Sequence, residues 1–140
     1  MSKNHFIVSV KTTDDTPLFP LKFNGENFLV ATTAQVSAKT GVLLKGFASF
    51  PTGLELILYC NDVQDARKYT DEVASAIYAK TNSLGHIIYS FGIHIGVLTN
   101  DERTLHAIMS DMMTRSMAAR GIDFDSIPTI KFDMDGKSLS

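Results

Sequence analysis

The sequence has a single cysteine, Cys60, and one thiol can close neither an intrachain disulfide nor a cysteine-based zinc site. That usage fits a reducing compartment, and the expected location is cytoplasmic. A surplus of positive charge is missing as well: 13 Lys and Arg stand against 15 Asp and Glu, for a net charge of −2. General nucleic-acid binding rests on such a surplus meeting phosphates, so the composition predicts no nucleic-acid partner. No apolar run reaches the roughly 18 residues that span a bilayer. Residues 1–11 lack the form of a signal peptide, and no membrane partner is expected. Internal repeats and low-complexity tracts are absent. What remains is an ordinary globular composition, 44% hydrophobic and 20% charged over 140 residues. A chain of that length buries a core without help from a metal or a disulfide. One α+β domain over residues 1–140 is expected, with 1–4 and 136–140 flexible.

In the first half, residues 5–10 alternate Phe6, Val8 and Val10 with Ile7 and Ser9, the period of a strand. Residues 11–17 read as a loop, and Pro20 places 18–23 at a sheet edge. Asn24-Gly25 is a strong hairpin signal and would join that edge to a strand at 27–33. Turns at 39–41 and 51–53 bracket strands at 42–50 and 54–60, which makes an antiparallel meander. From Val63 the period changes. Val63, Ala66, Tyr69, Thr70, Val73, Ala74, Ile77 and Tyr78 share one helical face. Asn61 is the expected N-cap, with Gln64 three residues on, and Asn82 and Gly85 stop the helix. A second helix starts from Thr99 as N-cap, carries Leu105, Ile108, Met109, Met112, Met113 and Met117, and closes at Arg120-Gly121. Residues 127–134 supply a last strand. The fold class is therefore α+β: a mainly antiparallel sheet, a β-meander in the order β-β-β-β-β-α-β-α-β, with two helices packed on one face.

Between the two helices, residues 86–98 (HIIYSFGIHIGVL) read as one long strand. Its odd positions form a bulky row of Ile87, Tyr89, Phe91, Ile93, Ile95 and Val97. The opposite row holds Gly92, His94 and Gly96, where a helix or a ligand can approach the backbone closely. A tightly packed helix is the plainer account. A shallow groove floored by the glycines, with His94 beside them, is the functional one.

Motifs that would carry chemistry fail on spacing. His86 and His94 lie about 26 Å apart along an ideal strand, and His5 and His106 have no partner at ligand spacing. No metal site follows. Residues 132–138 (FDMDGKS) resemble the nucleophile motif of the haloacid-dehalogenase-like phosphatases, an apolar strand followed by Asp-x-Asp-Gly. That resemblance implies Asp133 as nucleophile and Asp135 as general acid/base. It covers these few residues only, with Lys137 where the family has threonine, and a strand ending in an acidic turn is the adopted account. Asp123, Asp125, Asp133 and Asp135 are interrupted by 126–130 and do not make a calcium loop. Gly136-Lys137-Ser138 lacks the first glycine of a P-loop. Cys60 has no basic neighbour in sequence to depress its pKa, which marks a buried structural thiol. No catalytic residue and no cofactor is predicted.

The methionine-rich helix and the bulky strand row offer more apolar surface than two helices cover, which points to a homo-oligomer. The expected function is a non-enzymatic, homo-oligomeric binding module holding a small anionic ligand, nucleotide-like or carboxylate, at a subunit interface. Its binding residues would be His94, Thr99, Asn100, Arg103 and Arg115, because arginine grips such anions with a planar fork. Two alternatives stand beside it. One is a regulatory or inhibitory protein docking on a larger protein partner. The other is a small enzyme with a histidine-based intersubunit site, using His94 or His86 with Tyr89 or Arg115 in support.

Overall fold

The structure is a computed structural model that describes residues 3–98, 100–119, 131–132 and 138–139. It runs β1 (Asn4–Thr12), α1 (Gly25–Thr40), β2 (Leu43–Phe50), β3 (Gly53–Cys60), α2 (Val63–Ser83), β4 (Phe91–Leu98) and α3 (Glu102–Ala119). A two-residue antiparallel ladder follows, β5 (Lys131–Phe132) with β6 (Ser138–Leu139). The first four strands form one antiparallel sheet in the order β2-β3-β1-β4. That is the β-α-β-β-α-β arrangement of ferredoxin-like motifs with one helix added. The α+β class stands, but the expected meander and its two helices do not: the described residues hold three helices, and they cover both faces of the sheet. Of the last strand expected at 127–134, only Lys131–Phe132 is described, and the acidic motif around Asp133 and Asp135 lies outside the described residues.

The error begins at Asn24-Gly25, which starts a helix instead of a hairpin. Asn24 Oδ1 accepts from the Asn27 N–H at 3.2 Å, as an N-cap does. Gly25 is required there because a Cβ would stand 2.1 Å from the Phe19 ring. The buried face of α1 is Leu29, Thr32, Thr33 and Val36. The threonines hide its period from a hydrophobicity reading. Thr33 tolerates burial because its hydroxyl donates to the Leu29 carbonyl at 2.8 Å, within the helix itself. Gly41, at φ 77°, closes α1 by donating its N–H to Ser37 O. No strand forms over 18–23. Leu18 is buried, and its N–H donates to Pro51 O.

The second helix falls where its period placed it, although its N-cap is Asp62 and not Asn61, with Oδ1 accepting from the Asp65 N–H at 2.9 Å. Its Tyr69 is fully buried and donates its hydroxyl to Thr33 O at 2.9 Å, tying α2 to α1. Burial raises the Tyr69 pKa, so this hydroxyl keeps its proton. Phe6, Val8 and Val10 of β1 and Leu54, Leu56 and Leu58 of β3 pack under α1 and α2 in one core. Phe91, Ile93 and Ile95 pack against them partly buried, which covers the middle of the bulky row and leaves Val97 exposed. Its first two members, Ile87 and Tyr89, are exposed in the loop before β4, since the strand starts at Phe91 rather than 86. Cys60 ends β3 in the same core as a free thiol, with its pKa pushed up to about 11 chiefly by burial.

The other face of the sheet carries α3. Leu105, Ile108 and Met112 pack with Ala48, Ile57 and Leu98 in a second, smaller core. The close approach is at Gly46, where a Cβ would lie 3.2 Å from Met109 Cγ. The helix therefore sits over β2, not over Gly92. There an added Cβ would meet only ordinary contacts at 3.8 and 3.9 Å. No helix among the described residues is long and apolar enough to cross a membrane.

Candidate nucleic-acid interface

The strand registers order the side chains beneath and beside α3 into four cross-strand rows. From β4 to β2 these read Leu98-His5-Tyr59-Leu43, Gly96-Ile7-Ile57-Gly46, His94-Ser9-Glu55-Ala48 and Gly92-Lys11-Gly53-Phe50. Because α3 lies on the β2 side, the β1–β4 side of this face is open. His94 and Lys11 are exposed there, and Ser9 and Gly92 are half-buried. The two ends of α3 frame this strip, and they differ in chemistry.

At the C-terminal end, Arg115 reaches down to the sheet. Its Nη1 and Nη2 donate to the two carboxylate oxygens of Glu55 at 2.7 and 2.6 Å, and its Nε donates to Asp111 Oδ2 at 2.7 Å. The guanidinium also stands 5.8 Å from the centroid of the Phe50 ring. The hydrogen bonds it donates to Glu55 are the main reason its pKa is raised, against the opposing effect of burial, so it remains charged. Ser116 adds a hydrogen bond to the Ser49 carbonyl. Asp111 is buried, and among the described residues this end of the helix is a clamp in which one guanidinium meets both carboxylates.

At the N-terminal end, cations gather without such partners. Tyr59 projects from β3 on the α3 face, with the His5 ring 4.5 Å away, centroid to centroid, and tilted by 39°. Lys3 Nζ and Lys45 Nζ lie 5.9 and 5.7 Å from the centroid of the Tyr59 ring. Lys45 reaches this place because the β2–β3 register shifts between Leu44 and Gly46, so it is the extra residue of a bulge. His5, Lys45, Tyr59, Asn100, Arg103 and His106 line an open cleft of about 870 Å³, together with Glu102. Among the described residues no carboxylate forms an ion pair with Lys3, Lys45 or Arg103.

Two hydrogen-bond sets fix this end. His5 Nδ1 donates to Asn100 Oδ1 at 2.6 Å, since that oxygen can only accept. Nε2 is then the acceptor of the neutral ring. Asp101 caps α3: its Oδ2 accepts from the Thr104 N–H at 3.0 Å and from the Thr104 hydroxyl at 2.7 Å. Those bonds, the hydroxyl first, hold the Asp101 carboxyl below the usual aspartate value. The N-cap expected at Thr99 is thus supplied two residues later, and Thr99 itself lies outside the described residues.

The five residues singled out from sequence are therefore dispersed. Asn100 and Arg103 line the cleft, His94 stands on the open strip, and Arg115 is held by two carboxylates at the far end. His5, Tyr59 and Lys45 were missed because only strand pairing assembles them. His106 was dismissed for want of a partner in sequence, and folding brings it to the same cleft as His5. Among the described residues, no group of three His, Cys, Asp or Glu side chains is placed to hold a metal.

No protein-family model matches the sequence, and no curated protein does. Solved structures do. The fold is shared with transposases. A REP-associated tyrosine transposase bound to a REP hairpin superimposes with a TM-score of 0.60 at 12% identity, over 88% of this chain and 72% of that one. A transposase candidate from Deinococcus radiodurans R1 gives 0.52 at 16% identity, over 79% of this chain and 88% of that one. At these identities the likeness is one of fold.

These neighbours correct three expectations. The homo-oligomeric module for a small anionic ligand gives way, because proteins of this fold include one that holds a nucleic-acid hairpin. The regulatory or inhibitory docking protein goes with it. His86 lies in the loop before β4, with Nε2 bonded to Pro17 O at 2.6 Å. The exclusion of nucleic acid is also withdrawn. A net charge of −2 averages over the whole surface, whereas phosphates meet only the local charge of one cleft.

Proposed function

We propose that this chain is a nucleic-acid-binding domain of transposase type that takes DNA on its α3 face. The observation that carries the proposal is the cluster at the N-terminal end of α3. Lys3 and Lys45 stand over Tyr59 with His5 beside it, and Arg103 lines the same cleft, with no ion pair among the described residues to neutralise them. Cations without carboxylate partners provide phosphate contacts, and an aromatic ring among them provides a platform for a base. From this cleft the open strip runs along β1 to Lys11, six residues from His5. That is about 20 Å of strand, or about six base-pair steps of B-DNA. His94 and Ser9 lie along that path. The fold likeness to a transposase bound to a hairpin supports DNA as the partner and a hairpin as the first probe. The single buried thiol of Cys60 is in keeping with a cytoplasmic location.

The test is a titration of a labelled DNA hairpin by fluorescence anisotropy over a salt series, with the wild type, Lys45→Ala and Arg103→Ala. Each variant is expected to weaken binding and to lower the slope of log K against log salt by about 0.7–0.9, the share of one phosphate contact. A wild type that binds no hairpin, duplex or single strand at low salt would overturn the proposal. So would a clear preference for an RNA hairpin of the same sequence.

A further inference from the structure

Two histidines line the cleft, His5 from β1 and His106 from α3, in a chain that has four. We infer that they make DNA binding at this site pH-dependent, strengthening it as the pH falls from about 8 to about 5.5. The inference rests on the reading of this cleft as a DNA site and names how that site is regulated. Histidine is the side chain whose charge ordinarily changes in this range. The groups facing the pair are Lys3 at the start of the chain, Lys45 from β2, Tyr59 from β3, Asn100 from the connecting segment, and Glu102 and Arg103 from α3. A phosphate bound among them adds the negative charge that favours protonated imidazole.

The hydrogen bond to Asn100 gives the change its chemical form at His5. With Nδ1–H already donated to Asn100 Oδ1, the neutral ring presents an Nε2 lone pair, which repels a phosphate oxygen. Protonation converts that acceptor into a charged donor and leaves the bond to Asn100 intact. The ring is thus held in one orientation through both states, and only the sign of what it offers changes. Each added proton supplies one more phosphate contact. At about 0.1 M salt such a contact strengthens binding roughly five- to eightfold, and it steepens the salt slope by about 0.7 for single strands or 0.9 for duplex.

The experiment is the hairpin titration repeated at about pH 8 and about pH 5.5 over a salt series. It uses the wild type, the His5→Gln/His106→Gln double variant and His86→Gln, with folding checked by circular dichroism at both pH values. The wild type and His86→Gln are expected to bind at least tenfold tighter at the lower pH, with a slope steeper by about 1.4–1.8. The double variant should lose the larger part of this response and keep at most the one contact that His94 supplies on the strip, a slope change of no more than about 0.9. A wild type whose affinity and slope ignore pH overturns the inference, as does a double variant that keeps the larger part of the response, or a response abolished by His94→Gln alone. Binding at pH 8 that depends on Lys45 and Arg103 but not on pH leaves the DNA reading standing and removes only this one. Absence of binding at either pH removes both.

Discussion

The two ends of α3 use their charged groups in opposite ways. At the C-terminal end Arg115 is matched to Glu55 and Asp111 by three hydrogen bonds of 2.6–2.7 Å, beneath the helix and against the sheet. At the N-terminal end Lys3, Lys45 and Arg103 are exposed, and an aromatic ring, not a carboxylate, stands near the two lysines. A satisfied buried charge positions an element, whereas an exposed cation without a carboxylate beside it is available to a ligand. Arg115, one of the two arginines expected to bind an anion, is thus a structural part, and Lys45, which attracted no notice in the sequence, stands over the Tyr59 ring.

That contrast is broken most sharply at Arg115. Replacing it by alanine leaves two carboxylates facing each other under α3 and should cost about 3–5 kcal/mol of stability, as loss of one member of a buried ion pair does. Urea denaturation measures this directly. Arg115→Lys should recover only part of the loss, because an ammonium cannot reproduce the planar fork. If Arg115→Ala unfolds within 1 kcal/mol of the wild type and instead loses DNA binding, the roles assigned to the two ends are reversed.

How far these ends could be read from sequence follows from where their residues come from. The faces of α2 and α3 were legible because a 3.6-residue period lies within one element, and β2 and β3 because the turn at 51–53 joins them directly. The first helix was not, since Asn24-Gly25 serves a hairpin and a helix start equally well and Thr32 and Thr33 occupy core positions normally filled by apolar groups. Asn100 and Arg103 were legible as residues at the start of a helix. Tyr59, His5 and Lys45 were not. The first two are neighbours only through the β1–β3 register, and the third arrives through a bulge that no local pattern announces. Charge counting does not locate that cleft for a related reason: it adds Asp62 and Asp65 at the start of α2 to the cations on the other face.

A smaller effect sharpens the binding end. If Tyr59 is a stacking platform, Tyr59→Ala should weaken hairpin binding by about 1–3 kcal/mol, while Tyr59→Phe, which keeps the ring, should stay within about twofold of the wild type. Anisotropy titrations of the three proteins at one salt concentration decide it. Equal loss in both variants would mean that the hydroxyl and not the ring matters, and the stacking role would be withdrawn.

The smallest effect concerns what fixes the N-terminal end of α3 in the absence of a buried clamp. There the helix is held by an exposed cap, Asp101, whose carboxylate accepts two bonds from Thr104. Those bonds favour the ionised form, so the folded pKa lies below the ordinary aspartate value of 3.8. A depressed carboxylate pKa contributes stability that is present above the unfolded value and fades as the pH falls through the folded one. The cap should therefore be complete above about pH 5 and loosen below the normal aspartate range, while Arg115, at the other end, stays charged throughout. The Thr104 amide proton followed by NMR from neutral pH into acid should titrate with a midpoint below 3.8 in the wild type and show no such step in Asp101→Asn. Amides beside Arg115 should not share that step. A Thr104 midpoint at or above 3.8 would show that the cap does not hold the carboxylate, and the cleft residues that follow it on α3 would need another anchor.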